Sequence, residues 1–246
     1  MENLNISDDI INSFSKLFND FLHDLTGTFP ELIENIENNK DLNHLYFNQT
    51  DEITISLNDS VKNLIAHCCS VYPSRFFDIL YKNDDIFGND DMNSDISCFF
   101  VPGIDFKKLW PLLVDMTDTK EAIWKYLQLV LFLCSQCIEG ADSFGDTAKM
   151  FEAIDENDLL KKLKSTIENM TEMFDISDNF DFPKNDISAN LPDANDLHSH
   201  LKTLLEGNLG KLAHEIAEET AEELQRDMSD SKTVGDVFQK LMKNPR

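Results

Sequence analysis

The sequence predicts an all-α protein, on three observations. Apolar residues recur at helical spacing through most of the chain. Strand-like alternation is confined to one short stretch. Hydrophobic residues make up 41% of the 246 positions, 18 of them Phe, enough apolar material for a packed core. The expected arrangement is an irregular multi-helix bundle around a buried central helix at about 119–138, with a linker-joined C-terminal helical tail.

Residues 8–25 read as an amphipathic helix, with Ser7 placed as its N-cap and Ile10, Phe14, Leu17, Phe18, Phe21, Leu22 and Leu25 on one face. Gly27 is a stop signal. Thr28-Phe-Pro-Glu31 has the form of a capping box, with Pro30 in a first turn, and opens a short helix through Ile36. Residues 37–58 are dominated by Asn and Asp, and Glu52–Leu57 alternates as a short strand would. Residues 59–72 are helical, with Val61, Leu64, Ile65, Cys68, Val71 and Tyr72 on one side, and Pro73–Tyr81 is an aromatic-rich short helix.

The stretch Asn83–Ser97 holds five Asp and no base, the composition of a solvated loop. Phe99–Gly103 is a turn. Asp105 is placed to cap a short helix carrying Phe106, Leu109 and Trp110, stopped at Pro111. Asp118-x-x-Glu121 opens the most apolar helix, which runs to about Ile138. Gly140 and Gly145 break the chain, and residues 146–154 and 156–174 are helical again.

Three parts follow: an acidic helical body at 5–174, an acidic flexible linker at 175–195 and an amphipathic helical module at 196–246. The net charge of −25 is unevenly spread. Residues 1–174 carry 31 acids and 13 bases, whereas 196–246 carry 10 acids and 7 bases. Such a surface repels phosphate backbones and anionic lipid, so no direct nucleic-acid binding is expected. The apolar run Ile123–Ile138 contains Lys125, Gln128, Ser135 and Gln136 and is shorter than the roughly 20 apolar residues of a membrane span, so none is expected. Residues Met1–Asp9 are polar and acidic, unlike a secretory signal, and five Cys follow no secreted-scaffold spacing. An intracellular protein with reduced thiols is therefore expected.

The candidate metal ligands are Cys134, Cys137, Cys68 and His67. Cys134-Ser-Gln-Cys137 is a CxxC, but a redox CxxC sits at a helix N-terminus and this one ends an apolar run. Zinc binding would need two helices distant in sequence to converge, and Cys68 and Cys69 point about 100° apart on a helix. Packing as small core residues is the favoured reading. His198 and His200 read as exposed helix residues. Phe76, Phe77, Tyr81, Phe99, Phe100, Phe106, Trp110, Trp124 and Tyr126 read as core, with some left over to cover a groove or partner. No GxGxxG, GKS/GKT or GxSxG occurs, so no catalytic residue is singled out and no cofactor is expected.

The partner-binding candidates lie in the tail. Leu209, Leu212, Ile216 and Leu224 form a narrow apolar stripe opposite Glu215, Glu218, Glu219, Glu222 and Glu223. Val237, Phe238 and Leu241 add a second apolar face.

Several blocks together resemble a known family: Val71-Tyr-Pro-Ser-Arg-Phe-Phe-Asp-Ile-Leu-Tyr-Lys-Asn83, Pro102-Gly-Ile-Asp-Phe-Lys-Lys-Leu-Trp110, Ile123-Trp-Lys-Tyr-Leu-Gln-Leu-Val-Leu-Phe132 and Leu212-Ala-His-Glu-Ile-Ala-Glu-Glu-Thr-Ala221. The chain is similar to an uncharacterised protein family of giant nucleocytoplasmic DNA viruses of the mimivirus–phycodnavirus kind. The resemblance covers most of the chain and implies an acidic helical body with a helical tail, in host cytoplasm or viral factory or packaged in a virion. It brings no established activity. The expected function is that of a non-enzymatic viral interaction or adaptor protein, binding viral or host proteins through apolar helix faces. The alternative is an acidic, chaperone-like or nucleic-acid-mimicking protein that binds basic proteins.

Overall fold

A computed structural model describes residues 6–47, 55–88, 97–138, 140–176 and 191–205. The protein is all-α. Among the described residues no strand forms; a single β-bridge between Val101 and Ile104 closes the Pro102-Gly103 turn, where Gly103 takes φ 77°. No helix among them is long and apolar enough to cross a membrane.

Helix α1 (Asp8–Thr28) is capped by Ser7, whose hydroxyl accepts from the Ile10 amide at 3.4 Å. Its apolar face, from Ile11 through Phe14, Leu17, Phe18, Phe21 and Leu22 to Leu25, is fully buried. Burial of each such side chain contributes roughly 1.5–3 kcal/mol. The capping box expected at Thr28-x-x-Glu31 does not form. Thr28 is still helical and its hydroxyl donates to the Asp24 carbonyl, while Phe29 occupies the cap position without a side-chain bond. A hydroxyl within reach of the carbonyl four residues back satisfies itself inside the helix it ends. Gly27 does not stop the helix either.

A 3₁₀ turn (Pro30–Leu32) leads into α2 (Ile33–Asn38) and α3 (Lys40–Phe47). Asn39 caps α3, its Oδ1 accepting from the amides of Asp41 and Leu42 at 3.0 and 3.1 Å. The strand expected at 52–57 is overturned for its last three residues, since α4 (Ile55–Val71) begins at Ile55; residues 52–54 lie outside the described residues. Alternation over six residues is too short to oppose a helix that continues for four turns beyond it.

Helix α5 (Phe76–Tyr81) follows a 3₁₀ turn at Pro73–Arg75 and ends where Lys82 enters the left-handed region at φ 55°. Phe76 and Phe77 point apart, yet both are buried, because Phe151 reaches each of them, with ring centroids 5.0 and 4.5 Å away. Asp84–Phe87, expected in a solvated loop, is a 3₁₀ turn capped by Asn83, with Ile86 and Phe87 buried. Phe87 stacks on Trp110 at 4.1 Å, and Trp124 donates to Asp84 at 3.0 Å. Residues 89–96 of that loop lie outside the described residues.

Asp105 caps α6 (Phe106–Leu109), accepting from the Lys107 amide as expected. Pro111 does not end the structure there. It sits in the first turn of a 3₁₀ segment (Trp110–Leu113), where its missing N–H costs nothing.

Helix α7 (Thr117–Ser135) packs against α1, α4 and α5. Every residue from Tyr126 to Ser135 is buried, the pattern of a helix surrounded on all sides. Its buried Gln128 donates to the carbonyls of Ile79 and Leu80 at 3.1 and 3.2 Å. One amide thereby satisfies two carbonyls at the C-terminal end of α5. A Lys82–Glu121 ion pair joins the same two helices at the surface.

Beyond the Ala141–Phe144 turn come α8 (Thr147–Ala153) and α9 (Glu156–Ile176). Contacts divide the chain into residues 1–202 and 203–246. Helix α10 (194–205) starts in the first unit, with Leu197 and Leu201 buried. His200, expected at an exposed helix surface, is half-buried and donates to the Ile138 carbonyl at 3.1 Å. Lys202 pairs with Glu156 at 2.9 Å. Residues 196–202, assigned from the sequence to the tail, thus pack on the body. Residues 177–190 of the expected linker lie outside the described residues.

Candidate functional site

Two surface features converge on the start of α7. The first is a groove of about 260 Å³ between the end of α1 and the first turns of α7. Phe21, Leu25, Ala122 and Ile123 give it apolar walls, and Asp24, Thr28, Asp118, Thr119 and Tyr126 complete it. The ring of Tyr126 stacks on Phe21 at 4.7 Å, and its hydroxyl donates to Asp24 Oδ2 at 2.6 Å. Burial pushes the Tyr126 hydroxyl well above the ordinary phenol range; the Asp24 hydrogen bond and the charges of Asp24 and Asp20 add to the shift. The phenol therefore stays a donor at every physiological pH and holds the Asp24 carboxylate in place.

The second feature is an exposed apolar knuckle just upstream. In a 3₁₀ turn, side chains three residues apart eclipse. Trp110 and Leu113 form such a pair and both are buried. Leu112, between them in register, is turned out and 60% exposed; Val114 and Met116 follow at 68% and 42%. Three large apolar side chains thus stand in water within five residues. Isolated exposed apolar residues are ordinary, but a run of them marks a contact surface.

The weak metal candidates are placed differently. Helices α4 and α7 do converge, contrary to the objection that their distance in sequence raised. The Cys69 thiol donates to the Cys134 carbonyl at 3.8 Å, and Cys68, Cys134 and Cys137 are near enough to act on one another's protons. All four are buried and free. The bond to Cys134, with burial, pushes the Cys69 thiol far up, partly opposed by Cys137. Burial pushes Cys134 up, aided by Cys68, and the bond to Cys69 raises Cys137. With their protons held this firmly, Cys69, Cys134 and Cys137 are poor nucleophiles. His67 turns away and donates to the Phe99 carbonyl at 2.8 Å. Among the described residues no group of three or more His, Cys, Asp or Glu side chains is placed to hold a metal ion.

The partner-binding candidates Leu209, Leu212, Ile216, Leu224, Val237, Phe238 and Leu241 lie outside the described residues. Sequence reasoning missed both the groove and the knuckle. The knuckle had a signal: Trp110 and Leu113 at i, i+3 after a Pro-bearing turn leave Leu112 with no core side to face. The groove had none, because Asp24 and Tyr126 are 102 residues apart.

Comparison of the chain with protein families, with curated proteins and with solved structures found no match.

Proposed function

We propose that this chain is a non-enzymatic helical interaction protein, an adaptor that binds protein partners through exposed apolar surface. The observation that carries the reading is the Leu112–Val114–Met116 knuckle, anchored on one side by buried Trp110 and Leu113 and on the other by α7. A rigid apolar projection enters a partner's pocket with little ordering entropy left to lose. The resemblance carried by Ile123–Phe132 and its companion blocks supports a viral setting for that partner.

The test is affinity capture from expressing or infected cells with the wild type and with the Leu112→Ser/Val114→Ser double variant. Proteins retained by the wild type and lost by the variant support the reading. Identical retention by both overturns it.

A second reading rests on charge. With 31 acids against 13 bases over residues 1–174, the body can shield basic proteins. Under that reading capture is abolished by salt and indifferent to the knuckle substitutions.

A further inference from the structure

We propose that Cys69 and Cys137 form a reversible disulfide that staples the end of α7 to the last turn of α4, beside the point where α10 is moored. The inference is independent of what the protein binds.

The thiols gather where two helices end. Cys68 and Cys69 stand in the last turn of α4, Cys134 in the last turn of α7, and Cys137 in the turn just past it. One oxygen organises them. The Cys134 carbonyl accepts the Cys69 thiol at 3.8 Å and the Cys137 amide at 2.8 Å, so the two cysteines converge on the same atom. The Cys137 thiol donates back to the Leu133 carbonyl at 3.8 Å, within the influence of Cys69.

Exposure selects the pair. Cys69 and Cys137 keep 9% and 8% of their surface, whereas Cys68 and Cys134 keep 0% and 1%. An external oxidant must touch a sulfur, and only the outer two are within its reach. Backbone setting agrees. Cys134 is held inside α7, but Cys137 lies past the last helical residue. Its side chain can swing from Leu133 toward Cys69 without disturbing the helix.

A small-molecule disulfide is the oxidant. One outer thiol loses its proton, attacks the external S–S bond and releases one small thiol. The other then loses its proton, attacks the mixed disulfide and releases the second. Two protein S–H bonds and one external S–S bond are exchanged for one protein S–S bond and two external S–H bonds. Two electrons pass from the protein to the oxidant. The contact with Cys134 raises the Cys69 thiol and the contact with Cys69 raises Cys137. The first attack is therefore slow, and the same sulfurs are poor leaving groups, so the staple persists once made.

Its consequence lies one residue on. The Ile138 carbonyl accepts from His200 at 3.1 Å and so holds α10 to the body. Movement of Cys137 carries that carbonyl with it.

The test equilibrates the full chain in mixtures of reduced and oxidised glutathione, quenches with acid, alkylates the remaining thiols and maps the cysteine peptides by mass. The oxidised protein is expected to be lighter by two hydrogen atoms, with one cross-link joining Cys69 to Cys137 that dithiothreitol reverses. Cys69→Ser and Cys137→Ser should each abolish it. The His200 ring signals should shift on oxidation of the wild type and stay in place when Cys137→Ser is treated in the same way. A chain that stays fully reduced in oxidised glutathione overturns the proposal. So does a cross-link through Cys68 or Cys134, a glutathione adduct that never resolves to an internal disulfide, or a His200 signal indifferent to oxidation. The wild-type peptide map decides by itself, even where a variant folds poorly.

Discussion

The two ends of α7 occupy opposite environments. From Tyr126 to Ser135 it is enclosed by α1, α4 and α5, and its polar atoms are used up locally. Gln128 serves Ile79 and Leu80, Ser135 donates to Leu131 at 2.7 Å, and the Cys69 and Cys137 thiols donate to the Cys134 and Leu133 carbonyls. The N-terminal turns lie against α1 and reach Asp84 and Lys82 through Trp124 and Glu121, but their first residues stay exposed. There Asp118 and Thr119 face an open groove, and the segment leading in exposes Leu112, Val114 and Met116. The closed end has a dense supply of chemically capable groups and nothing left to offer a ligand. The open end has ordinary residues with unspent contacts. What a side chain can do is set by how many neighbours it already has.

Three measurements sharpen this contrast, the largest effect first. Phe132 is fully buried at the closed end. Phe132→Ala should lower the unfolding free energy by about 3–5 kcal/mol, read from urea denaturation, through lost transfer energy and a residual cavity. A loss below about 1 kcal/mol would show that the site collapses and is not tightly packed.

Next comes pH. The thiols of Cys69, Cys98, Cys134 and Cys137 are all raised: by bonding to Cys134 in Cys69, by burial in Cys98 and Cys134, and by bonding to Cys69 in Cys137. The fold keeps these protons, whereas the unfolded chain gives them up near the ordinary thiol value of about 8.5. Above that value the folded state binds more protons, so stability falls as pH rises. It should be full below about pH 8.5 and decline progressively above it. A flat profile from about pH 8 to about pH 10 would mean the thiol seam is wet. Slow alkylation of the native protein against fast alkylation in denaturant provides an independent check.

The smallest effect belongs to the open end. Leu112→Ser should change stability by less than about 0.5 kcal/mol, because the side chain has little burial to lose. A large destabilisation would identify the knuckle as a structural contact and remove it as a docking surface.

Much of the fold was legible from local pattern. α1 announces itself by long apolar periodicity and α7 by its long apolar run, and Ser7 and Asp105 cap where the sequence places them. The misreadings were local too. Thr28 found a carbonyl four residues back before it could cap the next helix. Glu52–Leu57 imitated a strand because six residues cannot distinguish alternation from the beginning of a helix. His200 looked like surface until Ile138 was brought to it.

The site was a different matter. Composition and periodicity alone determined that this is an acidic, all-α protein with a Phe-rich core, since burial of a periodic apolar face needs no knowledge of its partner. Only the tertiary structure decided that Cys68 and Cys69 meet Cys134 and Cys137, that Tyr126 reaches Asp24, and that Leu112 is left outside. Each of those outcomes depends on how helices far apart in the chain cross. Crossing geometry is chosen by the sum of many packing contacts, so no single stretch of sequence encodes it.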